Sequence, residues 1–186
     1  MAQTSRIPPV APDAFTDEQK QLVGEWSSMN FTRVIVNHPG LYRVFLPLIK
    51  KLIPDSSLPP RDRQILVLRT LALYDEVYEL THQVLISRHN AGMTDAEIEM
   101  ARQGKGADLS PFDLTLVRAA EELVRDRYIS DGTWRELARR YSTIELMEVV
   151  ALVGGYTMLA MATKNYGIQL EDPETFNGFA QIRKYK

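Results

Sequence analysis

Helix-start signals recur along the whole chain, and the alternation of apolar and polar residues that marks half-buried β-strands is nearly absent. Four of these signals fit a capping box, in which a hydroxyl and a carboxylate or amide three residues later satisfy the unpaired N–H groups of a helix start. They are Thr16–Gln19, Thr94–Glu97, Thr133–Glu136 and Ser142–Glu145. The pattern predicts an all-α fold of about seven to eight helices.

The spacing of apolar residues, together with caps and glycines, gives the bounds of the helices. An N-cap at Ser110 precedes proline at the first helical position, and Gly92, Gly104 and Gly167 stand where helices should end. We predict helices over residues 17–28, 39–53, 60–73, 75–91, 94–103, 111–128, 131–140 and 143–166.

The 186 residues are the size of one ordinary domain. We expect an extended, proline-rich arm over residues 1–16 and one helical domain over residues 17–167. The remaining segment, 168–186, has little periodicity, and it would be either frayed or laid across a neighbouring subunit.

Charge and composition exclude several classes of function. A net charge of -2 offers no basic surface for nucleic acid or an anionic membrane, so neither is expected as a partner. With no cysteine in the chain, disulfides, thiolate metal sites and thiol nucleophiles are all excluded. No secretory signal is recognisable, and the longest apolar stretch, 149–162, is shorter than the ~20 residues of a membrane span. We therefore expect a soluble cytoplasmic protein.

Two predicted helices are apolar nearly all the way round, which indicates burial on every side. In residues 64–74 only Gln64, Arg69 and Thr70 interrupt the apolar surface, and residues 146–162 carry a single charge, Glu148. A chain of this size can barely enclose two such helices by itself. We therefore expect a homo-oligomer in which part of their surface is buried between subunits.

The segment 75–83 contains the residues best suited to chemistry. Glu79 and His82 are neighbours at i,i+3 on one helix face, where a carboxylate can orient an imidazole and raise its basicity. Gln83 shares that face, and Glu76 lies a turn earlier. Glu79 and His82 could therefore act as a general acid/base pair. The same residues also fit a solvated polar face, which spacing alone favours.

Three further polar residues lie on the apolar helices. Arg69 needs an anionic partner, which could be Glu76, Glu79 or a substrate carboxylate, or it could form an ion pair within the protein. Gln64 could be a buried amide, and for Tyr156 a hydrogen-bonded core position is favoured over proton donation to substrate. Glu79 and His82 have the spacing of metal ligands in carboxylate-bridged bundles, but no second such motif exists, so no metal is expected.

Five segments together resemble the carboxymuconolactone decarboxylase-like family. They are residues 61–69, 77–82, 91–98, 133–137 and 152–159, and the likeness extends over roughly residues 5–172. The resemblance implies an all-helical fold of the alkyl hydroperoxidase D type, assembled as trimers or hexamers with pockets near the subunit contacts. One branch of the family contains alkyl hydroperoxidase D proteins with a Glu–Cys–Cys–His proton relay. The other contains γ-carboxymuconolactone decarboxylase, a cofactor-free lyase of aromatic catabolism.

The relay positions of the peroxidase branch are all changed in this chain. The relay glutamate falls on Gln64, the two cysteines on Glu76 and Glu79, and the histidine on Gln83. A thiol peroxidase is therefore not expected. The decarboxylase-like branch has an acidic-Tyr-acidic-Trp stretch followed by histidine. Tyr78 and Glu79 match this stretch, whereas His82 comes one position early.

The resemblance implies a cofactor-independent lyase or isomerase that transfers protons on a small carboxylated lactone or enone. The residues assigned to catalysis are His82 as proton carrier, with Glu79 and Glu76; those assigned to the substrate are Arg69, Gln64, Gln83, Tyr78 and Tyr156. The alternative is a non-catalytic oligomer that binds a small ligand or a partner. Glutamines at the relay Glu and His positions favour it, because a neutral amide can bind but cannot act as a general acid or base.

Overall fold

The computed structural model describes residues 5–107 and 109–176. These residues form α-helices without a β-strand, as the sequence predicts. The helices are α1 (Asp17–Val23), α2 (Asn30–Ile35), α3 (Pro39–Leu52), α4 (Pro60–Leu73), α5 (Tyr78–Asn90), α6 (Asp95–Gln103), α7 (Pro111–Asp126), α8 (Asp131–Ala138) and α9 (Thr143–Tyr166). Short 3-10 helices occupy Pro12–Ala14 and Gly24–Trp26.

Three of the four predicted capping boxes are confirmed, at Thr16, Thr94 and Ser142, and Ser110 also forms one. The box at Thr133 is wrong. Its hydroxyl lies inside α8, because the Ser130 side chain accepts from the Thr133 backbone N–H and starts the helix three residues earlier. The predicted first residue of this helix, 131, is nonetheless correct; only the capping pair was misassigned.

Three other elements differ from the prediction by three residues or more. The helix predicted over residues 17–28 ends at Val23, because Gly24 follows with a positive φ of 49°. The helix expected from residue 75 begins at Tyr78, because Asp75 adopts a left-handed φ of 48° that a helix cannot include. The helix α2 was not predicted at all. It has six residues and no side-chain N-cap, so it carries none of the signals by which the other helix starts were found.

The helix α4 is the centre of the fold and packs against α5, α6, α7 and α9. Nine of its fourteen residues are buried, which confirms that the first all-apolar segment lies inside the protein. The N-terminal arm crosses the end of α9, where the backbone N–H groups of Arg6 and Ile7 donate to the Tyr166 carbonyl. This arm and the residues after Gly167 both pack beside α2 and the end of α9.

The segment after α9 is packed as far as the structure describes it. Ile168 and Glu171 are buried, and a helical turn follows at residues 173–176. The interpretation of a frayed segment is therefore wrong for residues 168–176, which lie across α2 and α5 of the same chain. Residues 177–186 lie outside the described part of the chain.

Of the described helices, α9 has the length and mean hydropathy of a membrane span. However, 56% of its apolar window is buried against the other helices of the protein. A buried core helix meets the same two criteria.

Candidate functional site

A cavity of about 100 Å³ lies between α3, α5 and the segment around α2. Most of its lining is apolar, and much of it comes from α3, where Phe45, Leu46 and Ile49 face inward. This volume has room for several water molecules or a small organic ligand, because one water needs about 10–15 Å³ of such space. The cavity is therefore small and mostly apolar, with a few polar groups in its lining.

Two polar residues of α5 enter this cavity, and both were predicted as site residues. Glu79 and Gln83 are buried, lie one helical turn apart and line the same wall. Gln83 is held by two neighbours: its Nε2 donates to the Tyr156 hydroxyl at 2.7 Å, and its Oε1 accepts from Gln64 Nε2 at 3.2 Å. The structure thus joins Gln64, Gln83 and Tyr156 into one buried network that fixes the Gln83 amide beside Glu79.

Tyr42 is a third polar group in the cavity, and sequence reasoning missed it. The side chain is 2% exposed, and its hydroxyl is a buried oxygen without a hydrogen-bond partner among the described residues. Burial raises the pKa of this hydroxyl, and the neighbouring Thr32 side chain lowers it in part. Tyr42 shares the inward face of α3 with Phe45, Leu46 and Ile49, so the helical spacing was the signal that could have identified it.

One cation lies among the described residues that line the cavity. Lys50 is exposed and stands at the cavity mouth, near the end of α3. A lysine in this place can hold an anionic group of a bound molecule while the rest of that molecule enters the apolar interior.

His82 is buried on a different side of α5 and is not among the described residues that line the cavity. Its Nε2 lies 3.0 Å from Oε2 of Glu171, and both side chains are only 1% exposed. The rings of Tyr78 and Phe176 pack against the imidazole, with centroids 4.8 and 5.2 Å away. Glu171 is therefore a carboxylate that orients His82, and sequence reasoning did not identify it.

Glu171 is the centre of a buried polar cluster. Its Oε1 accepts from the Tyr78 hydroxyl at 2.5 Å and from the Asn30 backbone N–H at 2.7 Å, in addition to the His82 contact of Oε2. Burial raises the pKa of Glu171, but the hydrogen bonds from His82 and Tyr78 outweigh it and the net pKa is lowered. Burial and the Glu171 charge raise the pKa of Tyr78 well above its ordinary value. Tyr78 and His82 thus fasten the C-terminal segment to α5.

The structure gives Glu76 and Arg69 contacts away from the cavity. The Glu76 carboxylate accepts from the backbone N–H groups of Tyr78, Glu79 and Leu80, and so caps the start of α5. Arg69 pairs with Glu121, with Nε 2.8 Å from Oε1, and donates to the Arg102 carbonyl. The interpretation of Arg69 as part of an internal ion pair is confirmed, with Glu121 in place of the suggested Glu76 or Glu79.

No group of three or more histidine, aspartate or glutamate side chains within residues 5–107 and 109–176 is arranged to hold a metal ion. The chemistry open to the cavity is that of its carboxylate, amide, phenol and lysine. These groups can transfer protons and donate hydrogen bonds to an oxyanion.

Comparison with known proteins finds one family model that matches part of the chain. Residues 39–122 match the model of the carboxymuconolactone decarboxylase family. This segment runs from α3 to α7 and includes Tyr42, Gln64, Glu79 and Gln83. No curated protein matches the chain at a significant level.

Two solved structures share the fold at low sequence identity. The alkylhydroperoxidase AhpD core of a peroxidase-related protein from Ralstonia eutropha JMP134 superposes with a TM-score of 0.79 and 17% identity, over 92% of this chain and 94% of that one. A protein of unknown function from Agrobacterium tumefaciens gives a TM-score of 0.67 and 14% identity, over 73% of this chain and 94% of that one. The chain thus contains a segment similar to the carboxymuconolactone decarboxylase family and shares its fold with AhpD-like structures.

Proposed function

We propose that the cavity is the substrate site of a cofactor-independent lyase or isomerase acting on a small carboxylated lactone or enone, with Glu79 as the proton-transfer group. The observation that carries the proposal is a carboxylate in a mostly apolar cavity, beside an amide whose orientation is fixed. Carboxyl groups in apolar pockets can act as general acids and bases.

In the lyase form of the reaction, the bond between a substrate carbon and its carboxylate breaks and CO2 leaves. The electron pair is delocalised into the conjugated carbonyl as an enolate, and protonated Glu79 then returns a proton to carbon. Glu79 regains its proton from water, so the cycle needs no oxidant or reductant. In the isomerase form, ionised Glu79 removes a proton from one carbon and returns it to another.

Tyr42 and Gln83 would stabilise the enolate oxygen. The Tyr42 hydroxyl is a buried donor in the cavity without another partner among the described residues, and the Gln83 amide is immobilised by Gln64 and Tyr156. One such prepositioned donor is worth about 10²–10³ in turnover. Lys50 at the mouth would hold a carboxylate that remains outside the apolar interior.

This proposal reassigns four of the predicted site residues. Tyr78, expected to bind substrate, donates to Glu171 instead. His82, expected to carry the proton, holds the C-terminal segment through Glu171; Glu76 caps a helix; and Arg69 stabilises α4 against α7. The proton-transfer role passes to Glu79, because it is the carboxylate that lines the cavity among the described residues.

The decisive experiment compares Glu79→Gln with the wild type and with Glu136→Gln, a surface control on α8. Small lactones and enones, with and without a carboxylate, are incubated in D2O, and deuterium incorporation at carbon is followed by NMR, together with CO2 release. We expect Glu79→Gln to lower exchange by at least about 100-fold and Glu136→Gln to leave it unchanged. Exchange that survives in Glu79→Gln would refute the assignment.

A second candidate is a ligand-binding protein without catalysis. Gln64 and Gln83 favour it, because the two buried amides can bind but cannot transfer protons near neutral pH. Saturable binding of a lactone or enone by the wild type, with no deuterium exchange and no CO2 release, would support this function over the first.

We also propose that the chain is not a thiol peroxidase, although one of the structures that share its fold is peroxidase-related. The chain has no cysteine, so the sulfur that would attack a peroxide is missing. With an alkyl hydroperoxide and a dithiol reductant, we expect no peroxide consumption above that of a protein-free control, and enzyme-dependent consumption would contradict this.

A further inference from the structure

One face of α9 exposes a regular row of apolar residues. The row, called here the α9 seam, consists of Ile144, Met147, Ala151, Gly154, Met158 and Met161, all exposed. Successive members are three, four, three, four and three residues apart, which is the spacing at which helices pair side by side. The opposite face of the helix is buried in the core, so α9 has two separate apolar faces and the seam is the outer one.

The α9 seam is a contiguous apolar surface, not a set of scattered exposed side chains. Ile144 and Met147 are 62% and 68% exposed, and Met158 and Met161 are 41% and 54% exposed. With Val150 at its edge, the seam presents apolar surface on the order of 500 Å², at the upper end of what soluble monomers show. A groove beside Val150, lined by Tyr128 and Trp134, extends it towards the roughly 800 Å² per partner of a stable interface.

The order of residues along the seam is symmetric about its centre. The spacing 3-4-3-4-3 is the same in both directions, so the seam placed antiparallel on a copy of itself matches Ile144 with Met161, Met147 with Met158, and Ala151 with Gly154. Large residues then meet at the two ends and the smallest meet in the middle. A surface that is complementary to itself in this way is what a two-fold interface requires.

The centre of the seam permits close approach of two helices. A Cβ atom built on Gly154 would meet nothing within 4 Å, so the open space there lies outside the subunit. The seam itself carries no charge, and the positions beside it include Thr143, Val150 and Thr157. No buried ion pair or like-charge repulsion would therefore oppose association through the middle of the helix.

We propose that two copies of this chain associate through antiparallel pairing of their α9 seams about a two-fold axis near residues 152–153. Ala151 of one copy lies against Gly154 of the other at the axis, and the methionines pack on either side. The proposal concerns assembly and does not depend on the function proposed for the cavity.

Cysteine cross-linking tests the pairing directly, because the natural chain has no cysteine to interfere. Within one helix, residues 147 and 158 are about 16 Å apart, too far for a disulfide. In the antiparallel pair each lies opposite the other residue of the second copy. The variants are Met147→Cys, Met158→Cys and the double variant, each oxidised with copper and oxygen, which accept the two electrons released as two thiols form a disulfide.

We expect the double variant to give at least about ten-fold more covalent dimer than either single variant on a non-reducing gel, because only opposed residues come within disulfide distance. Efficient cross-linking of both single variants would show parallel helices and overturn the proposal. No cross-link in the double variant would overturn the register.

A charge on the seam gives a second, independent readout. Met147→Lys should halve the mass of the full-length protein in sedimentation equilibrium, because a lysine at that position would be desolvated in the pair. Val77→Lys is the matched control, since Val77 is 65% exposed and lies outside α9, and it should leave the mass unchanged. A seam variant with wild-type mass, or equal loss of mass in both variants, would contradict pairing through α9.

Discussion

Replacing Glu171 tests whether the C-terminal segment is fastened by a buried charge. Glu171→Gln keeps the shape of the side chain but removes the charge that strengthens its contacts with His82, Tyr78 and the Asn30 backbone N–H. A hydrogen bond to a charged group contributes about 1.5–3 kcal/mol, compared with about 0.5–1.5 kcal/mol for a neutral one. Three weakened bonds, offset by the lower cost of burying an amide, give a net loss of about 2–3 kcal/mol.

This loss should lower the midpoint of thermal unfolding by roughly 5–10 °C for a chain of this size. The assays are thermal unfolding for the midpoint and urea unfolding for the free energy, both followed by circular dichroism at a fixed protein concentration. Glu174→Gln is the control, because Glu174 is exposed in the same segment and its replacement should change the free energy of unfolding by less than about 0.5 kcal/mol. Equal losses in the two variants would refute the reasoning.

The pH dependence of the same two proteins provides a further check. The pKa of Glu171 is lowered in the folded state, so its contribution to stability is complete above the ordinary carboxyl pKa and is lost as the pH falls below it. The wild type should therefore lose more stability than Glu171→Gln between neutral pH and the acid range. Parallel pH profiles of the two proteins would show that the Glu171 charge contributes nothing.

Two other substitutions separate function from stability. Tyr42→Phe removes a buried hydroxyl whose polar neighbour is the Thr32 side chain, so the free energy of unfolding should change by no more than about 1 kcal/mol. Deuterium exchange should fall at least about ten-fold. A larger loss of stability in urea, with full exchange activity, would contradict both roles. Burial raises the pKa of Glu148, but its bonds with Lys51, Ser56 and Ser57 outweigh this and lower it from 4.5 to about 2. That difference corresponds to about 3 kcal/mol of stability, present above pH 4.5 and lost as the pH falls towards 2. Glu148→Gln should abolish this part of the acid dependence in urea titrations, and an unchanged acid slope would count against it.

The parts of the fold that depend on neighbours in sequence could be predicted. The capping boxes at Thr16, Thr94 and Ser142 each need residues only three positions apart. Glu79 and Gln83, which share one helix wall, are only four positions apart. The missed helix α2 has no cap, and its residues are ordered by burial against α3 and the C-terminal segment. Local rules cannot detect order that depends on tertiary packing.

In the candidate site, too, local contacts could be predicted from the sequence and long-range contacts could not. Local spacing placed Glu79 and His82 within reach of each other, but the partner that His82 takes is Glu171, 89 residues away. The guanidinium of Arg69 needed an anion, and the sequence could state that need without choosing Glu121, 52 residues along the chain, over nearer carboxylates. Pairing a buried charge is a physical requirement, whereas the identity of the partner is a property of the complete fold.

The apolar composition of α9 predicted an oligomer, but it could not predict how the subunits are arranged. An apolar surface nearly all round a helix indicates burial on two sides, but the residues that face the core and those that form the α9 seam separate only in the structure. In the antiparallel pairing proposed above, the symmetric spacing of the seam fits a two-fold axis. Cyclic trimers lack such an axis, whereas dimers and hexamers of two opposed trimers contain it. Of the trimer and hexamer expected by resemblance, antiparallel pairing of α9 therefore favours the hexamer, and cross-linking of residues 147 and 158 would distinguish the two.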